Sequence, residues 1–228
     1  QLISRYSSNL AFIADFSMFV FGADLKLREK ISGRLADLLS MLYLTSAVIK
    51  KFHDDCRPHE DLALVEWSYT NLLFKYEEAM AELIDNMPRR SYKILLKGIL
   101  LASGRKRKRP SDQLGKKVAK ILTTKNSCRD RLSEGLYLEN TDGNVLAEME
   151  QAFLLIINCQ DLEIKISKAV KKGLLNSLTL LEQIDEALEK ALITTDEAKQ
   201  LKNAETARQK VIAVDDFSTE ELLNNIYN

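Results

Sequence analysis

Side chains able to hold a metal fall together once in this sequence, in the connector His53–His59. There His53, Asp54, Cys56 and His59 are all of ligand type. Both histidines of the chain are spent in this one loop, and no second cluster supplies further ligand spacing. The connector therefore reads as a polar link between helices, and no metal is expected. The turn Asn140-Thr141-Asp142-Gly143-Asn144 invites comparison with a calcium loop. Aligned on Gly143, however, Leu138 and Met149 take the first and last ligand positions, where carboxylates are required. Asp215 and Asp216 are adjacent, which on extended chain points them apart and suits a solvated pair. There is no G-x-S-x-G elbow, phosphate loop or dinucleotide fingerprint, and no histidine placed to activate a serine or cysteine. No catalytic residue is expected in this chain.

Charge is the chemistry that does stand out. Pro88–Pro110 holds nine basic residues (Arg89, Arg90, Lys93, Lys97, Arg105, Lys106, Arg107, Lys108, Arg109) and no acidic one. Taking these nine from the 33 basic residues leaves 24 against 33 acidic elsewhere, so a neutral chain has gathered its positive charge into one place. Three readings compete. The run Arg105–Arg109 alone could be a solvated loop. It could bind nucleic acid by displacing counterions, or form a nuclear address, but its neighbours are Leu and Ile rather than stacking aromatics. The third reading is an interfacial helix, whose apolar face enters the acyl boundary while cations sit among anionic headgroups. Each such cation contributes on the order of 1 kcal/mol. The greasy residues beside the charge favour this reading. The predicted docking set is Arg89, Arg90, Tyr92, Lys93, Leu95, Leu96, Lys97, Ile99 and Leu100, with Arg105, Lys106, Arg107, Lys108 and Arg109 following.

The elements that position this stretch read as helices throughout, so the fold class is all-α: a bundle of long antiparallel helices with short C-terminal ones. Residues 2–21 are apolar on most of their circumference, and Gly22 breaks them. In 25–52, Ile31, Leu35, Leu38, Leu42, Thr45, Ile49 and Phe52 recur at steps of four and three. Beyond Pro58 the same spacing returns in Leu62, Val65, Tyr69, Leu72, Tyr76, Ala79, Leu83 and Met87. Two such helices on a short loop should pack antiparallel. Pro88 suits a first turn, and a helix to about residue 103 reaches only about 24 Å, so it lies on a surface and does not span one. Helices are also predicted over 112–133 and 145–172. Thr194-x-x-Glu197 and Ser218-x-x-Glu221 match capping boxes, predicting two short tail helices joined by an extended Val214–Phe217.

At 46% apolar and 29% charged, the composition is that of an ordinary globular chain. Cys56, Cys128 and Cys159 give no disulfide framework and fit a reducing compartment, with Cys159 in an apolar helical pattern. The sequence opens QLISRYSSN, without an initiating Met or a cationic leader, and is expected to be a piece of a longer chain.

One block is specific enough to suggest a family. LKLREKISGRLADLLSMLYLTSAV at 25–48 is similar to the C-terminal region of bacterial FadE-type acyl-CoA dehydrogenases. The likeness continues through 61–67, through NMPRR at 86–90, through PSDQLGKKVAKILTT at 110–124 and to AVDDF at 213–217. The resemblance implies one C-terminal helical domain over 1–228, while the residues themselves suggest a linker, and so a sub-boundary, near 103–112. It implies an upstream FAD-dependent core that oxidises long-chain acyl-CoA to trans-2-enoyl-CoA and passes electrons to an electron-transfer flavoprotein. It further implies homodimer formation and peripheral attachment to the bacterial inner membrane from the cytoplasm. FVFGAD at 19–24 lacks the double glycine of a flavin-contact segment, so no cofactor-binding or catalytic residue is carried over.

Overall fold

The computed structural model describes residues 2–101, 107–139 and 143–213. Among them it has ten α-helices, two short 3-10 turns and no strand, so the all-α expectation holds. The chain forms two compact units, one ending at Cys128 and the other beginning at Arg129. The sequence had suggested a sub-boundary near 103–112. The chain stays with the first unit beyond that point because its next helix packs on an earlier one, as described below.

In the first unit, α1 (Leu2–Phe21) ends where Gly22 takes a left-handed φ of 53°, which glycine adopts without steric cost. A 3-10 turn (Gly22–Leu27) leads to α2 (Glu29–Asp54). The four-three seam is realised: Ile31, Leu38, Leu42 and Thr45 are buried. The hydroxyls of Ser17 and Thr45 are buried too, and each donates to the carbonyl one turn back, to Ile13 (2.7 Å) and Met41 (2.6 Å). The connector closes with Cys56 and Arg57 both in the left-handed region, at φ 62° and 58°. Then α3 (Leu62–Asp85) returns antiparallel, so that Arg34 near the start of α2 meets Glu82 near the end of α3 at 3.4 Å. The core comprises Ile13, Leu38, Leu73, Tyr76, Met80, Leu83, Ile84 and Met87, with Leu96 and Leu100 of α4 (Arg90–Leu100). Next, α5 (Asp112–Leu122) packs on α3, where a Cβ on Gly115 would come within 4.0 Å of Trp67 Nε1.

The single helix expected over 112–133 is two. After α5, the side-chain amide of Asn126 donates to Ile121 O (2.7 Å) and Thr124 O (2.9 Å), closing the helix before α6 (Ser127–Ser133). The expected 145–172 helix is also two, α7 (Val145–Asn158) and α8 (Gln160–Lys171). They meet at buried Cys159, whose ψ of 0° departs from the helix. Asn144 caps α7, accepting from Ala147 N at 3.2 Å. A helix unforeseen in the sequence, α9 (Leu180–Glu189), starts from a full capping box of Thr179 and Glu182. The predicted box of Thr194 and Glu197 is present, but the helix it opens, α10 (Thr195–Ile212), is 18 residues long rather than short. It runs antiparallel to α7, with Lys210 near its end bonded to Glu148 at 2.8 Å. The second core gathers Cys159, Ile166, Leu175, Ile184, Ala187, Ile193 and Leu201. The Ser218 box and the Val214–Phe217 piece lie outside the described residues.

The second unit carries an acid-sensitive tie. Glu186 accepts from Lys190 Nζ (2.7 Å), Ser177 Oγ (2.8 Å) and Asn176 N (2.9 Å). With Lys190 contributing most, these donors hold its carboxyl down at about 2, against an ordinary 4.5. A carboxyl depressed in the folded state adds stability that is whole above its unfolded pKa and lost as pH falls through the folded one. Thermal denaturation from pH 5 to pH 2 is therefore expected to show Glu186→Gln with a shallower acid decline than the parent chain. Identical slopes would remove Glu186 from the acid response.

Candidate functional site

Helix α4 presents three sectors, where the sequence had suggested two. Tyr92, Leu96 and Leu100, spaced four apart, face the bundle: Leu96 is fully buried, Leu100 is buried, and Tyr92 sets its ring edge-on to Phe16 at 5.4 Å. Leu96 and Leu100 are thus core residues, Tyr92 packs against that core, and all three leave the predicted docking set. Periodicity alone could not tell which of two greasy sectors meets the bundle. The second sector is exposed and apolar: Ile94 at 64%, Leu95 at 50% and Ile99 at 50%. Ile94 is the most exposed of them. The third sector is cationic, formed by Arg90, Lys93 and Lys97.

The cations differ in how free they are. Lys97 pairs with Asp85 at 2.6 Å, and Lys93 Nζ donates to Asp85 O at 2.7 Å. Arg89 lies over the Tyr92 ring at 5.6 Å and Arg109 over Phe74 at 5.0 Å. Arg90 and Lys108 are exposed. Arg105 and Lys106 lie outside the described residues.

Arg107 leaves the predicted docking set, because its guanidinium Nε is buried beside Tyr6, Tyr76 and Glu77 and its main chain is tied to the bundle. Its N–H donates to Glu77 Oε2 at 2.9 Å, across 30 residues. Glu77, itself buried, accepts on its other oxygen from Tyr6 O–H at 2.6 Å. The Tyr76 hydroxyl donates to Tyr6 O (2.8 Å), and the two tyrosine rings stack with centroids 4.7 Å apart. Burial, then the bond to Glu77, push the Tyr6 phenol above its usual pKa, while Arg107 opposes the shift. Burial also raises that of Tyr76. A cavity of about 60 Å³ beside Arg5, Asn9 and Arg107 has room for water at the Arg107 side chain. A buried carboxylate that accepts from Tyr6 O–H and from Arg107 N acts as a structural tie between α1, α3 and the chain before α5.

The other candidate groups do not assemble. Asp54 pairs with Lys50 (2.6 Å) and Cys56 is exposed, and among the described residues no three His, Cys, Asp or Glu side chains could hold a metal. FVFGAD ends α1 and turns the chain. Its Phe19 is 79% exposed, and Gly22 is explained by its positive φ, with no atom within 4 Å of where a Cβ would lie. No described helix is long and apolar enough to cross a membrane.

An all-α helical domain is what the fold defines. The chain matches the family model for the C-terminal domain of acyl-CoA dehydrogenases of bacterial type over residues 1–217, and it belongs to that family. The polypeptide that carries such a domain is an acyl-CoA dehydrogenase, an oxidoreductase. No solved structure matches the chain.

Proposed function

We propose that this chain docks an FAD-dependent acyl-CoA dehydrogenase on the anionic cytoplasmic face of a bacterial inner membrane. In this reading the upstream core converts long-chain acyl-CoA to trans-2-enoyl-CoA, and the reduced flavin is emptied by an electron-transfer flavoprotein. The observation that carries the docking role is the exposed sector Ile94, Leu95 and Ile99 beside Arg89 and Arg90. Burying three half-exposed aliphatic side chains in the acyl boundary contributes roughly 1 kcal/mol each, and flanking cations add a comparable amount each at an anionic leaflet. The bare ridge of α2, with Leu39 at 60% and Tyr43 at 72% exposure, is where the same reading places self-association into a homodimer.

The test is co-sedimentation of the full polypeptide with phosphatidylglycerol vesicles, followed by long-chain acyl-CoA added to the anaerobic pellet. Sedimentation is expected at low salt, weakening as salt screens the charges, and the pelleted enzyme's flavin should bleach. Replacing Ile94 and Leu95 by serine should return most of the protein to the supernatant. A polypeptide that stays in the supernatant at low salt overturns docking. One that pellets but does not bleach overturns the substrate assignment.

A further inference from the structure

Helix α5 carries a second cationic surface, and its lysines are freer than those of α4. Lys116, Lys117 and Lys120 are all exposed and fall within about 100° of the helix surface. The acidic residue of this helix, Asp112, sits in its first turn, a position that favours negative charge for its own helix. Elsewhere in the first unit Lys50, Lys51 and Lys97 each pair with a carboxylate within 4 Å. Lys116, Lys117 and Lys120 take part in no ion pair among the described residues.

Two of these lysines also border a groove of about 440 Å³ between the start of α3 and α5. Ala63 and Ile121 supply its apolar part, with Thr124 and Asn126 at the same end. The one carboxylate lining it, Glu60, accepts from Ser127 Oγ at 2.9 Å and so is engaged within the unit. An apolar floor with two unpaired ammonium groups at its edge fits an amphiphile whose head carries negative charge.

We propose that Lys116, Lys117 and Lys120 are the main headgroup-recognising cations of this domain, and that the groove edged by Lys117 and Lys120 takes an anionic phospholipid. The sector on α4 then supplies apolar insertion, while α5 supplies charge recognition. This rests on the docking reading above and assigns its electrostatic part to residues outside the basic run.

The experiment uses the full polypeptide and vesicles of equal parts phosphatidylglycerol and phosphatidylcholine at low salt. Three proteins are compared: the parent, K116Q/K117Q/K120Q on α5, and K168Q/K171Q/K172Q, which removes the same charge from exposed lysines at the end of α8. Three lost headgroup contacts, heavily discounted, should weaken partitioning about tenfold or more, while the α8 variant should stay within about threefold of the parent. Equal binding by the α5 variant and the parent overturns this inference and leaves docking standing. An equal loss in both triple variants overturns it in favour of net charge. Duplex DNA retained as well as vesicles, through the same lysines, overturns it in favour of a general polyanion surface. A parent that ignores the vesicles removes the docking reading and this inference together.

Discussion

Replacing Glu77 by alanine is expected to destabilise the first unit by about 2–5 kcal/mol. The cost comes from the groups that the substitution leaves behind. Glu77 joins α1 to α3 through Tyr6 and ties the chain before α5 through Arg107 N. Removing the carboxylate strands a buried phenol hydroxyl and a main-chain N–H, each costing about 1–3 kcal/mol when left unmade. Tyr6→Phe deletes one bond to a charged acceptor without opening a cavity and should cost about 1.5–3 kcal/mol, toward the lower part of the range for Glu77→Ala. The single tryptophan, Trp67, lies on α3, so its fluorescence in a urea titration reports the right unit. Trypsin gives a second readout, since the bonds after Arg107 and Lys108 should be cut faster in Glu77→Ala than in Tyr6→Phe. The cluster also predicts a pH response. A phenol whose pKa is raised on folding contributes fully below its unfolded value near 10 and loses that contribution as pH rises further. Glu77→Ala within about 0.5 kcal/mol of the parent, the range of an ordinary surface change, would show that the cluster is not a tie.

This cluster also marks where reading from sequence ends. Glu77 and Glu78 look alike in the sequence, yet Glu77 is buried while Glu78 is only partly so. The reason lies 71 residues away in Tyr6 and 30 residues away in Arg107, and no local pattern announces either. The antiparallel α2–α3 pair was legible because apolar spacing and a short polar connector are local signals, and both helices obey them. Helix ends with chemical markers were legible as well: Gly22 and the Thr194 box both act as expected. Thr179-x-x-Glu182 has the same form as the Thr194 box and could have revealed α9. The break at Cys159 had no marker, since neither proline nor glycine stands there. The basic run was legible as charge and misleading as a surface. Its Arg107 is spent on the bundle and its neighbour Lys97 on Asp85, whereas the unpaired lysines of α5 are spaced among polar and apolar residues and form no run that marks them as a charged surface.

The second large effect separates the two greasy sectors of α4 and so decides which of them is free to meet a membrane. Leu96→Ala is expected to destabilise the first unit by about 2–5 kcal/mol, the range for truncating a fully enclosed leucine whose surroundings relax only in part. Ile94→Ala, two residues away on the opposite side of the helix at 64% exposure, should change stability by no more than about 0.5 kcal/mol. In vesicle sedimentation the order should reverse at temperatures where both variants remain folded. Ile94→Ala removes aliphatic surface from the acyl boundary and should weaken binding, while Leu96→Ala leaves the exposed sector intact and should bind as the parent does. The crossing of the two effects is the informative result, because loss of fold and loss of surface give opposite rankings. Two variants that rank the same way in both assays would mean that α4 meets the bundle along a different face. The interfacial role would then pass from Ile94, Leu95 and Ile99 to some other part of the unit.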